Sequence, residues 1–401
     1  MINLNSNYEM ICGELLTKIK THKSEIVELL SEVETYNMSS DEIICSIDLL
    51  ENLYKQDKYI CRHYKKTMCS FLPLNQPLYS LMLQVIVPSI VLENVYYRPP
   101  VFLEELHKQI YSLICSDICK NIHICNVERK VFINQYVLNC DIVNFTGKYK
   151  NALELIEKLP PDLSMIYNGS AVNPIIVTAT GNMDLAVKDV VNARLYNSGQ
   201  DCMAPAVIFV ERAVESLFLD KLKNFLKTVI VGDNLDFNTT VGNLLEKKSI
   251  EEYLSFKKNY KKNLVLDATI DFDKNIMSPA IFHFDSPQRD VQNIYFAPYF
   301  IIMGYDKIID IQNYLDTQFC ELYSGYISIY TSAQSTEYIG YKWKSGDNIL
   351  IPLINHNLLE EENGNKEFGG YGKGCSFVYK NGVIKAQPIL LLRALNDLFD
   401  R

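Results

Sequence analysis

The stretch Tyr196-Asn197-Ser198-Gly199-Gln200-Asp201-Cys202-Met203-Ala204-Pro205 places one cysteine in a small, polar connection between two apolar segments. Leu185 to Tyr196, before it, carries apolar residues at helical spacing. Ala206-Val207-Ile208-Phe209-Val210, after it, reads as a buried strand. A thiol on such a connection can reach a cleft, whereas the other cysteines mostly sit within apolar runs. Alone, a cysteine of this kind is ordinarily a half-buried free thiol. The rest of the chain changes that reading.

Other short blocks stand in a fixed order around it. They are Pro73-Leu74-Asn75-Gln76-Pro77, Arg98-Pro99-Pro100, Phe145-Thr146-Gly147, Asn173-Pro174-Ile175-Ile176-Val177 with Asp184-Leu185-Ala186, Phe296-Ala297-Pro298, and Phe368-Gly369-Gly370-Tyr371. Together with Asn-x-Gly-Gln-x-Cys and the following Ala-Pro, this set resembles the aldehyde dehydrogenase superfamily, as a short and divergent member. Each block is weak alone, but the shared order extends over most of the chain. The resemblance implies an α/β fold of two Rossmann-like domains, one for a nicotinamide cofactor and one carrying the catalytic thiol.

Bulk properties agree with a globular enzyme. At 401 residues the chain exceeds what one core usually supports, so two domains are expected. Apolar content of 48% and charged content of 22% are ordinary for a globular protein. A net charge of -9, without a basic stripe interleaved with aromatics, argues against a nucleic-acid partner. Leu81 to Val91 is too short to span a bilayer and contains Pro88, so no membrane partner is expected. Met1-Ile2-Asn3-Leu4-Asn5-Ser6 lacks the pattern of a secretory signal, and eleven cysteines then point to reduced thiols in the cytoplasm.

Helices are expected over residues 7 to 57, one of them starting at Ser39-Ser40-Asp41-Glu42. From Ser70 onward, strands and helices alternate, which implies parallel sheets with helices on both faces. Strands are expected at Asn94 to Tyr97, Val131 to Ile133, Ile142 to Phe145, Ile175 to Val177 and Ala206 to Val210. Pro88 is expected to kink the apolar helix that holds it. The expected organisation is a cofactor-type domain over 1–172, a thiol domain over 173–375, and a segment 376–401 returning to the first domain or a partner subunit. A homodimer is among the expected assemblies.

The resemblance also assigns roles. Cys202 would be the nucleophile. Asn75, with the backbone N–H of Cys202, would hold the developing oxyanion, a donor worth ~3 kcal/mol in such sites. Arg98, Gly147 and Lys148 would meet NAD or NADP; Val101 replaces an acidic residue, so the 2'-phosphate of NADP would meet no repulsion. Phe368 and Tyr371 would wall the substrate tunnel. Two departures stand out. Asn168 occupies the place of the glutamate that serves as general base in hydrolytic members, and an amide cannot take a proton from water. That favours an acylating or reductive direction, with coenzyme A or a carrier-bound thioester as co-substrate and an acyl carrier protein among the partners. Ile294 replaces the ribose-holding glutamate, and Ala152 a glycine of the phosphate loop.

Two readings follow. One is an NAD(P)-dependent oxidoreductase acting through Cys202 on an aldehyde or acyl thioester. The other is a non-redox acyl-binding, acyl-transfer or scaffolding descendant that has lost nicotinamide binding.

Overall fold

The computed structural model describes residues 4–60 and 63–399. Met1 to Asn3, Cys61-Arg62 and Asp400-Arg401, which fall within the expected first and C-terminal segments, lie outside the described residues.

Two seven-stranded sheets organise the molecule. The first contains His63–Phe71 (β1), Leu92–Arg98 (β2), Ile122–Ile124 (β3), Ile142–Thr146 (β4) and Ser164–Asn168 (β5). Their spatial order is β3-β2-β1-β4-β5, all parallel, so the order reverses between β1 and β4. A doubly wound sheet binds ligands at the carboxyl ends of its strands beside that reversal. Register aligns Phe71 with Arg98 and with Phe145, and Thr146 with Asn168. The loops carrying Asn75, Arg98, Gly147 and Gly169 therefore leave from one edge.

The chain crosses to the second sheet between β5 and Ile175–Val177 (β6). That sheet adds Ile208–Glu211 (β7), Leu264–Leu266, Ala280–Phe284, Tyr299–Tyr305, Ile327–Tyr330 and Pro352–Ile354, parallel except for Leu264–Leu266. Its central strands are buried throughout, as continuous apolar runs require when both faces are covered. The chain then returns: Ser376–Lys380 lies antiparallel on β5, followed by Val383–Ala386 at the sheet's edge. Among the described residues no helix is long and apolar enough to cross a membrane.

Two local expectations are corrected and a third takes a specific form. Val131 to Ile133 belongs to a helix, Arg129–Gln135, and the strand of this region is Ile122–Ile124. Three apolar residues in a row carry no period, and here Phe132 and Ile133 bury one helical face. The helix expected to start at Ser39 begins at Tyr36, because the Thr35 hydroxyl caps it by accepting from the Met38 N–H. Glu42, freed from a capping box, accepts instead from the N–H groups of Leu78 and Tyr79, at 2.8 and 2.9 Å. It thereby caps the helix that follows the Asn75 loop. Before Pro88, which has no N–H to donate, the expected kink takes the form of a π turn over Met82–Ile86.

Candidate active site

Cys202 sits between the helix Met183–Leu195 and β7, on a loop held from all sides. Asn197, Ser198 and Gly199 adopt positive φ of 46, 57 and 81° in succession. Two of these are non-glycine residues in a costly conformation, kept only where the surroundings over-determine it. Gly199 is required twice, since a Cβ there would lie 2.6 Å from the Ala297 carbonyl. The Phe296-Ala297-Pro298 turn thus packs directly on the Cys202 loop.

Polar clamps complete the support. The Ser198 hydroxyl accepts from the Gly242 N–H at 2.9 Å, and Gln200 Oε1 accepts from the Leu245 N–H at 2.7 Å. Fully buried Arg194 donates to the carbonyls of Gly199, Pro205 and Tyr295, with its guanidinium 4.4 Å from the Tyr295 ring centroid. Asn173, also buried, donates to the Cys202 carbonyl at 3.1 Å and accepts from the Tyr326 N–H at 2.9 Å.

The Cys202 thiol is half-buried and shares its surroundings with two carboxyl groups. Ligating atoms of Asp201, Cys202 and Glu362 all lie within 4.8 Å of one another. Gln76, next to Asn75, donates to Asp201 at 3.1 Å and to Glu362 at 3.3 Å. That bridge joins the Asn75 loop to the Cys202 loop; Asn75 is half-buried on it. Desolvation, and then the charges of Asp201 and Glu362, push the thiol well above its ordinary range. These surroundings favour the protonated thiol over the thiolate. Glu362 is also raised well above its ordinary value, first by burial and then by Asp201.

Asp201 is pushed up from 3.8 to about 6, chiefly by burial, with the Met203 N–H and Arg194 opposing. A carboxyl raised on folding stabilises fully below its unfolded value, and that contribution is lost as pH rises through the folded one. Over that window the loss is on the order of 3 kcal/mol. Asp201→Asn is expected to flatten the fall in urea-unfolding free energy between pH 3.8 and about 6. An unchanged slope would assign that fall to other groups.

The remaining candidates line the edge of the first sheet. Gly147, at φ 152°, passes close over the Phe145 ring, which a Cβ would meet at 3.3 Å. The helix Tyr149–Ile156 starts beside it with no side-chain cap, and Lys148 is exposed at its N-terminus. Uncapped N–H groups there suit an anion. Arg98 donates to the carbonyls of Val127 and Pro99, and burial lowers its pKa. Arg129 lies 5.9 Å from the Phe145 ring centroid and donates to the Asn151 carbonyl. Two guanidinium groups and an open helix terminus at the switch edge fit the phosphate half of a dinucleotide. Ile294, half-buried, offers the ribose no carboxylate, Ala152 is fully buried in the core, and Val101 is exposed.

Asn168 ends β5, with its carbonyl accepting from the Gly147 N–H at 3.0 Å. Phe368 packs against the core of the first sheet and bridges to Ile389, whereas Tyr371 packs against the second. Neither belongs to the lining of the large cavity beside Glu362. Arg194, Asn173, Arg129 and Glu362 were not assigned from the sequence. The Asn173-Pro174 block pointed at one of them; Glu362 lay hidden in an acidic run, Glu360-Glu361-Glu362, that reads as solvated loop.

The two doubly wound sheets, with a supported thiol beside the edge of the first, define a two-domain α/β protein with a cysteine-centred site. The aldehyde dehydrogenase family profile matches residues 134–338, just over half of the chain, and the chain belongs to that family. It is 23% identical over 327 residues to the 4,4'-diaponeurosporen-aldehyde dehydrogenase of Staphylococcus aureus, covering 74% of this chain and 70% of that enzyme. Its fold is similar to the NADP-bound glyceraldehyde-3-phosphate dehydrogenase of Methanocaldococcus jannaschii: TM-score 0.76 at 18% identity, covering 96% and 90% of the two chains. The NADP complex of glyceraldehyde-3-phosphate dehydrogenase from Bacillus halodurans gives 0.80 at 16%, covering 95% and 84%.

Proposed function

We propose that this chain is an NAD(P)-dependent oxidoreductase that works through a thioester on Cys202, with an aldehyde or an acyl thioester as substrate. The observation that carries the proposal is the Gln76 bridge, which ties the Asn75 loop to the carboxyl groups beside the Cys202 sulfur. Glu362 accepts the thiol proton, and the sulfur then adds to the carbonyl carbon. The charge that develops on oxygen is held by the Asn75 amide and the Cys202 N–H. A bound nicotinamide dinucleotide, held by Arg98, Arg129, Lys148 and the uncapped N–H groups after Gly147, would accept the hydride from that carbon. Cys202 is left carrying the acyl group as a thioester. Asn168 favours its passage to a thiol acceptor such as coenzyme A, or the reverse reduction, over hydrolysis.

A second reading, a non-redox acyl-transfer or scaffolding protein, draws on Ile294 and Ala152. Acyl thioesters with NADPH or NADH, and aldehydes with the oxidised cofactors plus coenzyme A, separate the two when nicotinamide absorbance is followed. Cofactor turnover with an acyl thioester or aldehyde as the partner product supports the proposal. Free acid as the main product would overturn the direction, and acyl exchange without cofactor turnover would favour the second reading.

A further inference from the structure

A helix ordinarily satisfies its first N–H groups with the side chain of its own N-cap residue. The helix Pro77–Leu81, which follows the Asn75 loop, does not. Gln76 stands at its N-cap with φ 53° and ψ 58°, in the left-handed region, and makes no capping bond. Its amide nitrogen reaches Asp201 and Glu362 instead. Pro77 has no N–H, and the Ser80 N–H already meets the Gln76 carbonyl at 2.9 Å. That leaves the N–H groups of Leu78 and Tyr79, and Glu42, 36 and 37 positions away, accepts both on Oε2. Glu42, Leu78 and Tyr79 are all buried, so bulk solvent cannot take over the cap.

Behind Glu42 lies a second carboxyl group. Glu34, 2% exposed, faces Glu42 within hydrogen-bonding reach. Burial, and then the Glu42 charge, raise Glu34 well above the ordinary carboxyl range, which favours its protonated form. A protonated Glu34 gives Glu42 Oε1, otherwise unpartnered, a donor, and leaves Oε2 to the helix. The residue next to Glu42 serves the other loop: Asp41 accepts from the hydroxyl of Tyr196, which stands at the head of the Cys202 loop. Neighbouring positions of one helix, Tyr36–Glu51, thus hold both loops of the candidate site.

We propose that Glu42 is a positioning residue for the reaction at Cys202: its carboxylate replaces the local cap of the helix Pro77–Leu81, which frees Gln76 for its bridge and fixes Asn75 where the oxyanion develops. The inference rests on the reading of Cys202 as nucleophile and Asn75 as oxyanion donor. Without the cap the first helical turn can shift, and a donor misplaced by about 1 Å costs on the order of 10²-fold in rate.

The test follows acetylation of Cys202 by 4-nitrophenyl acetate in the full chain. The acetyl group passes to the sulfur, the thiol gives up its proton, and 4-nitrophenolate leaves, with no nicotinamide involved. Glu42→Ala should slow acetylation about 10- to 100-fold with little change in the half-saturating ester concentration. Glu42→Gln, which keeps an oxygen acceptor, should stay within about threefold of the parent. In an Asn75→Ala background, Glu42→Ala should cost less than about threefold further, because a residue that acts through Asn75 has nothing left to place. General loosening of the fold would instead cost the same in both backgrounds. Should the alanine variant not fold, Glu42→Asp, with its carboxyl set back by one methylene, takes its place in the same cycle with the same expectation. A parent-like rate in that variant, a glutamine variant as slow as it, or a full cost that persists without the Asn75 amide would overturn the inference and leave the Cys202 reading intact. A parent chain that the ester does not label at Cys202 would sink that reading and this inference with it.

Discussion

Cys202→Ala is expected to abolish turnover, a loss on the order of 10⁶-fold, while the protein still folds. Its neighbouring thiol, Cys375, is only 2% exposed, whereas Cys202 is half-buried beside the carboxyl groups of Asp201 and Glu362. The loop does not depend on the thiol for its shape. Asn173 holds the backbone at position 202, Arg194 gathers three carbonyls around it, and Ser198 and Gln200 tie it to residues 242 and 245. Loss of a half-buried sulfur should cost about 1 kcal/mol of stability. Mass spectrometry of the acylated protein together with a thermal melt checks both parts. Acyl labelling or turnover that survives in the alanine variant would rule out the assignment.

Asn75→Ala should lower kcat by about 10²- to 10³-fold with little change in KM, because an oxyanion donor acts mainly in the transition state. The side chain sits on a loop fixed at its far end. Pro77 opens the following helix, Gln76 enters it at φ 53°, and Glu42 caps its first N–H groups. The loop is therefore expected to keep its place when the amide is removed. Steady-state kinetics beside a circular dichroism spectrum separates lost chemistry from lost fold. A fall of less than about tenfold would move the oxyanion role to another donor.

The Cys202 loop, as a connection between a helix and a strand, and the alternation of elements were legible because they are local. A polar connection between a helical period and an apolar run identifies itself, and strands β4, β6 and β7 fall where short apolar runs predicted strands. What escaped were partners distant in sequence. Gln76 meets Asp201 across 125 positions and Glu362 across 286, and no spacing rule foresees such pairs. Glu42 shows the same limit: its place three residues after Ser39 suggested a capping box within one helix, yet it caps another helix. Arg194 stands in the last turn of its helix, where nothing in the sequence distinguishes it from any other basic residue. Its role appears only when the Gly199, Pro205 and Tyr295 carbonyls converge on it.

Titration of the purified chain with NADPH and NADH, following nicotinamide fluorescence and thermal shift, tests the central claim most directly. Saturable micromolar binding of at least one cofactor, weakened by Arg98→Ala or Arg129→Ala, is the predicted result. Absence of binding at millimolar cofactor would contradict the redox account and leave Cys202 to acyl chemistry without hydride transfer.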